Sequence, residues 1–458
     1  MDKKSKDRRT HFLLLPYPAQ GHINPILQFS KLLQHEGVKV TLVSTLFYSK
    51  SLNKVPSNIS FETISDGFDK GGVDEAENYE TYFDSFRKVG SETLSNLIEK
   101  LDKQGNHVDC IIYDPFIPWV IQVAKRFEIV GVAYFTQNMN VNSIYYHVYK
   151  GKLGVPVIED GISLPAMPKL QVEELPSFFL TYEEDPSLVD LLAGQFNNIE
   201  QADWILCNTF YELDKEIADW SIKTWPTFRT VGPNIPSMFL DKQHKNEDYC
   251  VSQFESEDCI EWLNGKPNGS VVYVSFGSIA SIDEDQMKEI AYGLRDSGNY
   301  FLWVVRASED IKLPKDFEKK SNKGLIVKWC SQLKVLGHDS VGCFITHCGW
   351  NSTLEALCLG VPLIAIPQMS DQTTNAKYIV DVWKIGIRAK FDEKKIVRKE
   401  VLNDCIREIL ESERGKEIKN NAMMLKNLAS KAINEGGSSH KNIREFLNDL
   451  FPLQPTSP

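Results

Sequence analysis

Two Rossmann-like α/β domains facing a cleft are what the amino-acid sequence predicts. The chain has 458 residues, enough for two domains that each bury a core. Short apolar, β-branched runs alternate with amphipathic stretches in both halves, the pattern of βαβ units around a parallel sheet. Between the halves, residues 241–258 are polar, charged and without period, which reads as a linker. The expected domains are therefore 1–240 and 259–437, followed by a helical C-terminal piece over 438–458.

In the first half, Phe12–Leu15 reads as a strand and Asn24–His35 as a helix, with Ile26, Leu27, Leu32 and Leu33 on one side. Val38–Ser44 and Phe61–Ile64 are the next strands. A long helical stretch covers Tyr79–Lys103. Asp109–Tyr113 is a strand, Pro118–Phe127 a helix, Val130–Phe135 a strand and Asn140–Tyr149 an aromatic helix. Leu164–Phe179 is Pro-rich and reads as a loop. Pro186–Ile199 is helical, Trp204–Asn208 a strand and Thr230–Gly232 a last short strand.

The second half repeats the pattern. Val271–Ser275, Phe301–Val305, Leu325–Lys328, Cys343–Thr346, Leu363–Ile366 and Ile385–Ala389 are strands with helices between them. Arg398–Leu410 and Gly415–Ile433 are long helices. Gly436–Ser439 breaks the chain before a final helix, Asn442–Phe451, and 453–458 reads as a tail.

A net charge of −11 argues against a nucleic-acid partner. The nine cysteines include no Cys-x-x-Cys pair, and Cys343 and Cys348 have the wrong spacing for a zinc knuckle. They read as reduced thiols of a cytoplasmic monomer that holds no metal. The polar, basic N-terminus is not a signal peptide, and no apolar run approaches the ~20 residues of a membrane span. Asn58–Ile59–Ser60 and Asn268–Gly269–Ser270 fit a glycosylation pattern, which a cytoplasmic chain does not use.

The segment from Trp329 to Gln372 carries the most chemistry. Its strand, Val341–Thr346, stops at His347–Cys348–Gly349–Trp350, and a helix follows. Ser352 and Glu355 have the spacing of a capping box. A helix that starts just past a parallel strand offers free N–H groups and a positive dipole end to a phosphate. Gly349 allows close backbone approach, and Asn351 and Ser352 add donors. Trp329 follows a strand end, where its ring can stack on a base. Glu355 lies one turn into the helix, where it can accept two sugar hydroxyls. Asp371 and Gln372 follow the next strand and add polar groups at the same rim.

His22 and Asp114 are the catalytic candidates. His22 sits in Pro16–Tyr17–Pro18–Ala19–Gln20–Gly21–His22, after the first strand and at the start of the first helix. That helix end disfavours imidazolium, so a neutral imidazole able to take a proton is expected. Asp114 follows another strand end and can hold Nδ1–H of His22, fixing the tautomer as in a hydrolase triad. His147 and His338 show no partner and read as structural or surface. Tyr145, Tyr146 and Tyr149, with Phe116 and Trp119, fit an acceptor pocket or the core equally well.

On these residues the chain resembles the plant secondary-product UDP-glycosyltransferases, along the whole Trp329–Gln372 segment and in the contexts PAQGHINP and IIYDPF. The resemblance implies the GT-B architecture, with the last helix crossing back onto the N-terminal domain. It implies that Trp329 stacks on uracil, that Glu355 holds the ribose with Gln332 close by, and that His347, Asn351 and Ser352 hold the phosphates. By the same resemblance Ser278 is expected to touch the diphosphate, and Trp350, Asp371 and Gln372 to hold the sugar. Gly349 and Cys330 belong to the same donor site. The final Gln372 goes with glucose as donor, while Met369 stands where many members carry Trp. The resemblance further implies that His22 and Asp114 form a base dyad for direct displacement at C1 with inversion.

The expected reaction is transfer of glucose from UDP-glucose, as donor co-substrate and without a cofactor, to a hydroxyl or carboxyl of a lipophilic phenolic, terpenoid or steroid. A nucleotide-sugar epimerase, or another GT-B enzyme without a lipophilic acceptor, would not need the Trp329–Gln372 pattern. No GxGxxG follows a strand and no GxxxxGK[ST] is present, which argues against a dinucleotide oxidoreductase and a P-loop ATPase. A non-catalytic binder would not need His22 and Asp114.

Overall fold

The computed structural model describes residues 10–51, 59–158, 161–240, 257–315, 317 and 323–450. Seven parallel strands form the first sheet: β1 (His11–Leu15), β2 (Lys39–Thr45), β3 (Ser60–Ile64), β4 (Cys110–Tyr113), β5 (Val130–Phe135), β6 (Trp204–Cys207) and β7 (Phe228–Thr230). Their order is β3-β2-β1-β4-β5-β6-β7. The second sheet holds β8 (Val271–Ser275), β9 (Tyr300–Val304), β10 (Gly324–Val327), β11 (Val341–Thr346), β12 (Leu363–Ala365) and β13 (Gly386–Arg388), in the order β10-β9-β8-β11-β12-β13. All their pairings are parallel.

Both sheets are covered on both faces, which is why their strands read as continuous apolar runs. Along β1, Phe12 and Leu14 enter one core cluster while Leu13 and Leu15 enter the other. Along β8, Val272 and Val274 face one cluster, Val271 and Tyr273 its opposite. The strand order reverses between β1 and β4 and between β8 and β11. Each reversal opens a crevice at the carboxyl ends of the strands, where doubly wound sheets bind ligands.

The final helix, Ser438–Leu450, returns to the first sheet as expected. It buries Ile443, Phe446 and Leu447 there, with the Phe446 ring edge-on to Phe12 and Trp204. It starts four residues earlier than its apolar period shows. The last strand of the first sheet is Phe228–Thr230, not Thr230–Gly232. Gly232 has left the ladder to press against Asn208, where a Cβ would lie 2.6 Å from Oδ1.

The Tyr79–Lys103 stretch is helical but carries a π turn at Phe86–Gly90. The Pro186–Ile199 helix is shorter than expected, Ser187–Gly194, and Asn198 turns the chain at φ 63°. A Lys215–Thr224 helix has no counterpart in the periodicity reading. Residues 241–256 of the expected linker, Asn58 and the expected tail lie outside the described residues. No described helix is long and apolar enough to cross a membrane.

Candidate active site

The His22–Asp114 pair is built from three strand ends. Asp114 directly follows β4, its N–H donates to the Leu15 carbonyl at 3.0 Å, and its side chain is fully buried. One carboxylate oxygen accepts from the Phe116 N–H at 3.0 Å. The other lies 2.6 Å from Nδ1 of His22. Thr136, the first residue after β5, brings its hydroxyl to 3.0 Å from the same Nδ1 and donates to Asp114 at 3.5 Å. With Nδ1–H held by the carboxylate, Nε2 carries the free lone pair. Tyr17 and Phe116 flank the imidazole at ring-centroid distances of 5.3 and 4.8 Å.

His22 itself lies in the first turn of the Gln20–His35 helix, which begins before Asn24 because the chain turns at Ala19. Pro25 has no N–H, so the Gly21 carbonyl four residues back lacks its helical donor. That carbonyl accepts instead from the Asn351 side chain at 2.7 Å, across the cleft.

The facing wall starts at β11. Cys348 occupies the left-handed region at φ 67°, with its thiol buried. The Trp350–Leu359 helix follows, with Gly349 at its N-cap. The capping box expected from Ser352 and Glu355 is not formed, since both lie inside this helix. Gln332, from the helix after β10, ties them together instead. Its Nε2 donates to Ser352 Oγ at 3.0 Å and to Glu355 Oε2 at 2.8 Å, and its Oε1 accepts from Tyr273 at 3.3 Å. Burial pushes the Glu355 carboxyl up to about 7, against the opposing Gln332 bond.

His347 is wedged between two glycines. A Cβ on Gly277, at φ +74°, would lie 2.8 Å from its ring, and one on Gly349 2.6 Å. Burial lowers its imidazole to about 4, so it stays neutral near pH 7. Ser278 sits on the loop after β8, which the Arg306 guanidinium holds through the Ser278 and Ala280 carbonyls.

Trp350 lines the cleft, but its indole is 4% exposed and donates to the Asn208 carbonyl at 3.1 Å. The ring is a packing and interdomain group, and what Trp350 can offer a sugar is the free N–H of a first helical residue. Asp371 is buried, and its carboxyl is pushed up to about 6 by that burial while Asn375 donates to it at 2.8 Å. Gln372 spends Oε1 on the N–H groups of Gln368 and Met369, leaving its amide N–H for a ligand.

One cavity of about 960 Å3 joins the two walls. His22 and every donor-site candidate line it, including Trp329 and Cys330; Asp114 sits behind His22. Its other side is aromatic and aliphatic: Tyr17, Phe47, Tyr79, Phe83, Phe116, Phe178, Leu188 and Leu191. Phe116 thus belongs to the pocket, whereas Tyr145, Tyr146 and Trp119 are core residues. His147 stacks on Trp220, and His338 bonds Ser340 and Asn264, both in structural roles. Thr136 and Asn375 are not among the residues that the sequence singles out. Thr136 carries the same signal as Asp114, a polar residue at a strand's carboxyl end; Asn375 lies one turn after Asp371. Among the described residues, no three His, Cys, Asp or Glu side chains cluster to hold a metal, and all eight cysteines are free and buried.

Residues 242–432 match the family model for UDP-glucoronosyl and UDP-glucosyl transferase. Mogroside I-E synthase of Siraitia grosvenorii is 46% identical over 445 residues, covering 96% of this chain and 98% of that one. The flavonol 7-O-beta-glucosyltransferase UGT74F1 of Arabidopsis thaliana is 41% identical over 96% of this chain and 98% of its own. Os79 from O. sativa, solved in complex with UDP, superposes with a TM-score of 0.89 at 35% identity, over 96% of this chain and all of that one. Its complex with U2F and trichothecene superposes with a TM-score of 0.88.

Proposed function

Because this chain belongs to the plant family-1 UDP-glycosyltransferases, GT-B enzymes that use a UDP-sugar on small-molecule acceptors, we propose that it transfers glucose from UDP-glucose, with inversion, to a hydroxyl or carboxyl of a lipophilic phenolic, terpenoid or steroid. The observation that carries this reading is the His22–Asp114 pair, 2.6 Å apart, opening onto a cavity whose far wall is the donor site.

In the proposed mechanism, Nε2 of His22 removes the acceptor hydroxyl proton as the oxygen attacks C1 of the sugar. The bond from C1 to the diphosphate oxygen breaks on the opposite face, which inverts the centre. Asp114 steadies the imidazolium that forms and keeps its orientation. Asn351, Ser352, Ser278, neutral His347 and the N–H groups at the Trp350–Leu359 helix start receive the charge of the leaving UDP. Trp329 stacks on the uracil, with Cys330 beside it. Glu355, held by Gln332, accepts from the ribose hydroxyls. Asp371, Gln372 and the Trp350 backbone hold the sugar.

We assign the acceptor to residues 1–240, joined by 438–458, and the donor to residues 259–437. The aromatic lining on the first side supports a lipophilic acceptor, and Gln372 supports glucose. The free, buried cysteines support a reducing compartment, the cytoplasm.

The test is acceptor-dependent UDP release from UDP-glucose, with product mass, across phenolics, terpenoids and steroids. A hexose added to one class is the expected result. UDP release without any acceptor would overturn the transferase reading in favour of hydrolysis or an epimerase-like site.

A further inference from the structure

Asp371 does not stand alone at the rim of the cleft. Asn375, one turn further along the Gln372–Lys377 helix, is fully buried. Its Nδ2 donates to Asp371 Oδ2 at 2.8 Å and to the Cys348 carbonyl at 2.9 Å. Its Oδ1 accepts from Asn138 of the other domain at 3.1 Å. Asn138 is 1% exposed, and its own Oδ1 accepts from the Asn140 backbone at 3.0 Å and side chain at 3.1 Å. Asn140 in turn donates to Asp214 at 2.9 Å and accepts from Tyr378 at 2.8 Å. Trp383 donates to the other Asp214 oxygen at 3.1 Å.

Each amide orientation in this chain is dictated by its neighbour. Asp214 accepts, so the Asn140 amide nitrogen faces it and the Asn140 oxygen faces Tyr378. The Asn138 oxygen then faces the Asn140 nitrogens, and the Asn138 nitrogen points at Asn375. Asn375 is left with both N–H groups directed at Asp371 and at the Cys348 carbonyl. Donation thus runs one way, from Asn138 to Asn375 to Asp371, and bonds in such a row strengthen one another.

We propose that Asn375 is a positioning residue for the donor sugar, aiming the Asp371 carboxylate through an amide relay that starts on the opposite domain at Asn138. The proposal rests on the reading that Asp371 holds the sugar. The Cys348 bond also ties the sugar end of the site to the His347–Gly349 turn at its phosphate end. Because the relay crosses the cleft, Asp371 is aimed only while the two domains stay apposed as they are here. The sequence offers no sign of this, since Asn138 and Asn375 are 237 positions apart.

The test compares Asn375→Leu, Asn138→Ala and Asp371→Asn in the full chain. KM for UDP-glucose, the preference for UDP-glucose over its C4 epimer UDP-galactose, and Kd for UDP alone are measured for each. Losing a hydrogen bond to a charged group predicts a rise of roughly tenfold or more in KM for UDP-glucose with Asn375→Leu, and losing the neutral Asn138–Asn375 bond a rise of roughly fivefold with Asn138→Ala. The epimer preference should narrow in parallel while Kd for UDP stays unchanged. A merely structural role would weaken UDP binding as well and leave the epimer preference alone, which would overturn the proposal. Should Asn375→Leu fail to fold, Asn138→Ala gives the same readout from the opposite domain. If Asp371→Asn alters the preference and the relay variants do not, the relay is wrong and the sugar reading stands. If Asp371→Asn also changes nothing, the sugar reading itself falls, and the proposal with it.

Discussion

His22 has two polar neighbours at Nδ1, the Asp114 carboxyl at 2.6 Å and the Thr136 hydroxyl at 3.0 Å. Replacing His22 by Ala should lower kcat by about 10² to 10⁴, the usual worth of a general base. Kd for UDP, measured by calorimetry, should stay unchanged because the groups proposed to bind the donor lie around the second sheet; equal loss of both would contradict the base role. Glu355 supplies a pH test. Its carboxyl is raised from an ordinary 4.5 to about 7, so between those values the folded, free protein holds a proton that the unfolded chain releases. This group therefore costs stability as pH rises through that window. Ribose hydroxyls must donate to the ionised form, so UDP affinity should fall as pH drops below about 7. Glu355→Gln should bind UDP more weakly and lose that pH dependence. A wild-type affinity flat between pH 6 and pH 8 would argue against the ribose contact.

Two turns do the positioning work in the second domain, one after β8 and one after β11, and both are glycine-dependent. Gly277 needs its left-handed backbone and also has no room for a Cβ. Gly349 has an ordinary φ of −59°, so Gly349→Ala isolates the steric effect: the methyl group must push the His347 ring out of its slot. We expect a clear loss of UDP affinity from Gly349→Ala with little change in Tm, and losses of both from Gly277→Ala. Unchanged UDP binding in Gly349→Ala would mean that His347 does not reach the phosphates. The Gln20–His35 helix shows the same economy. Pro25 leaves the Gly21 carbonyl open, and Asn351 uses it to link the Trp350–Leu359 helix to the turn bearing His22.

The Ser438–Leu450 helix packs onto the first sheet. Phe446 is fully buried against Phe12 and Trp204. The rim carries polar contacts: Arg229 with Glu445 at 2.6 and 2.7 Å, and Trp204 with Asp449 at 3.0 Å. Phe446→Ala removes a large buried ring, and should cost about 3–5 kcal/mol, read as a lower denaturation midpoint. Glu445→Ala removes the half-exposed partner of Arg229, which keeps its bonds to the Pro226 and Phe228 carbonyls, and should cost about 1 kcal/mol or less. A Phe446→Ala midpoint equal to wild type would mean that the helix does not hold the first domain together.

The strand–helix alternation, the two-domain plan and nearly all of the cleft wall between Trp329 and Gln372 were legible in the sequence, for a local reason. Strand ends, helix starts and their polar residues lie within a few positions of one another between Trp329 and Gln372. The dyad could be named because His22 and Asp114 each follow an apolar run, although 92 positions separate them. Local spacing failed where a distant partner competes. The helix starts at Trp350, which puts Ser352 and Glu355 inside it and within reach of Gln332; Asn208 takes the Trp350 indole, and Gly232 leaves its strand. The aromatic run around Tyr145 went to the core while Phe47, Tyr79 and Phe83 lined the pocket, because period shows which residues are apolar but not what they face. The Asn138–Asn375 contact and the Thr136 approach to His22 exist only once the parallel sheets set their strand ends side by side. Hydrogen bonds between residues hundreds of positions apart are decided by that packing alone.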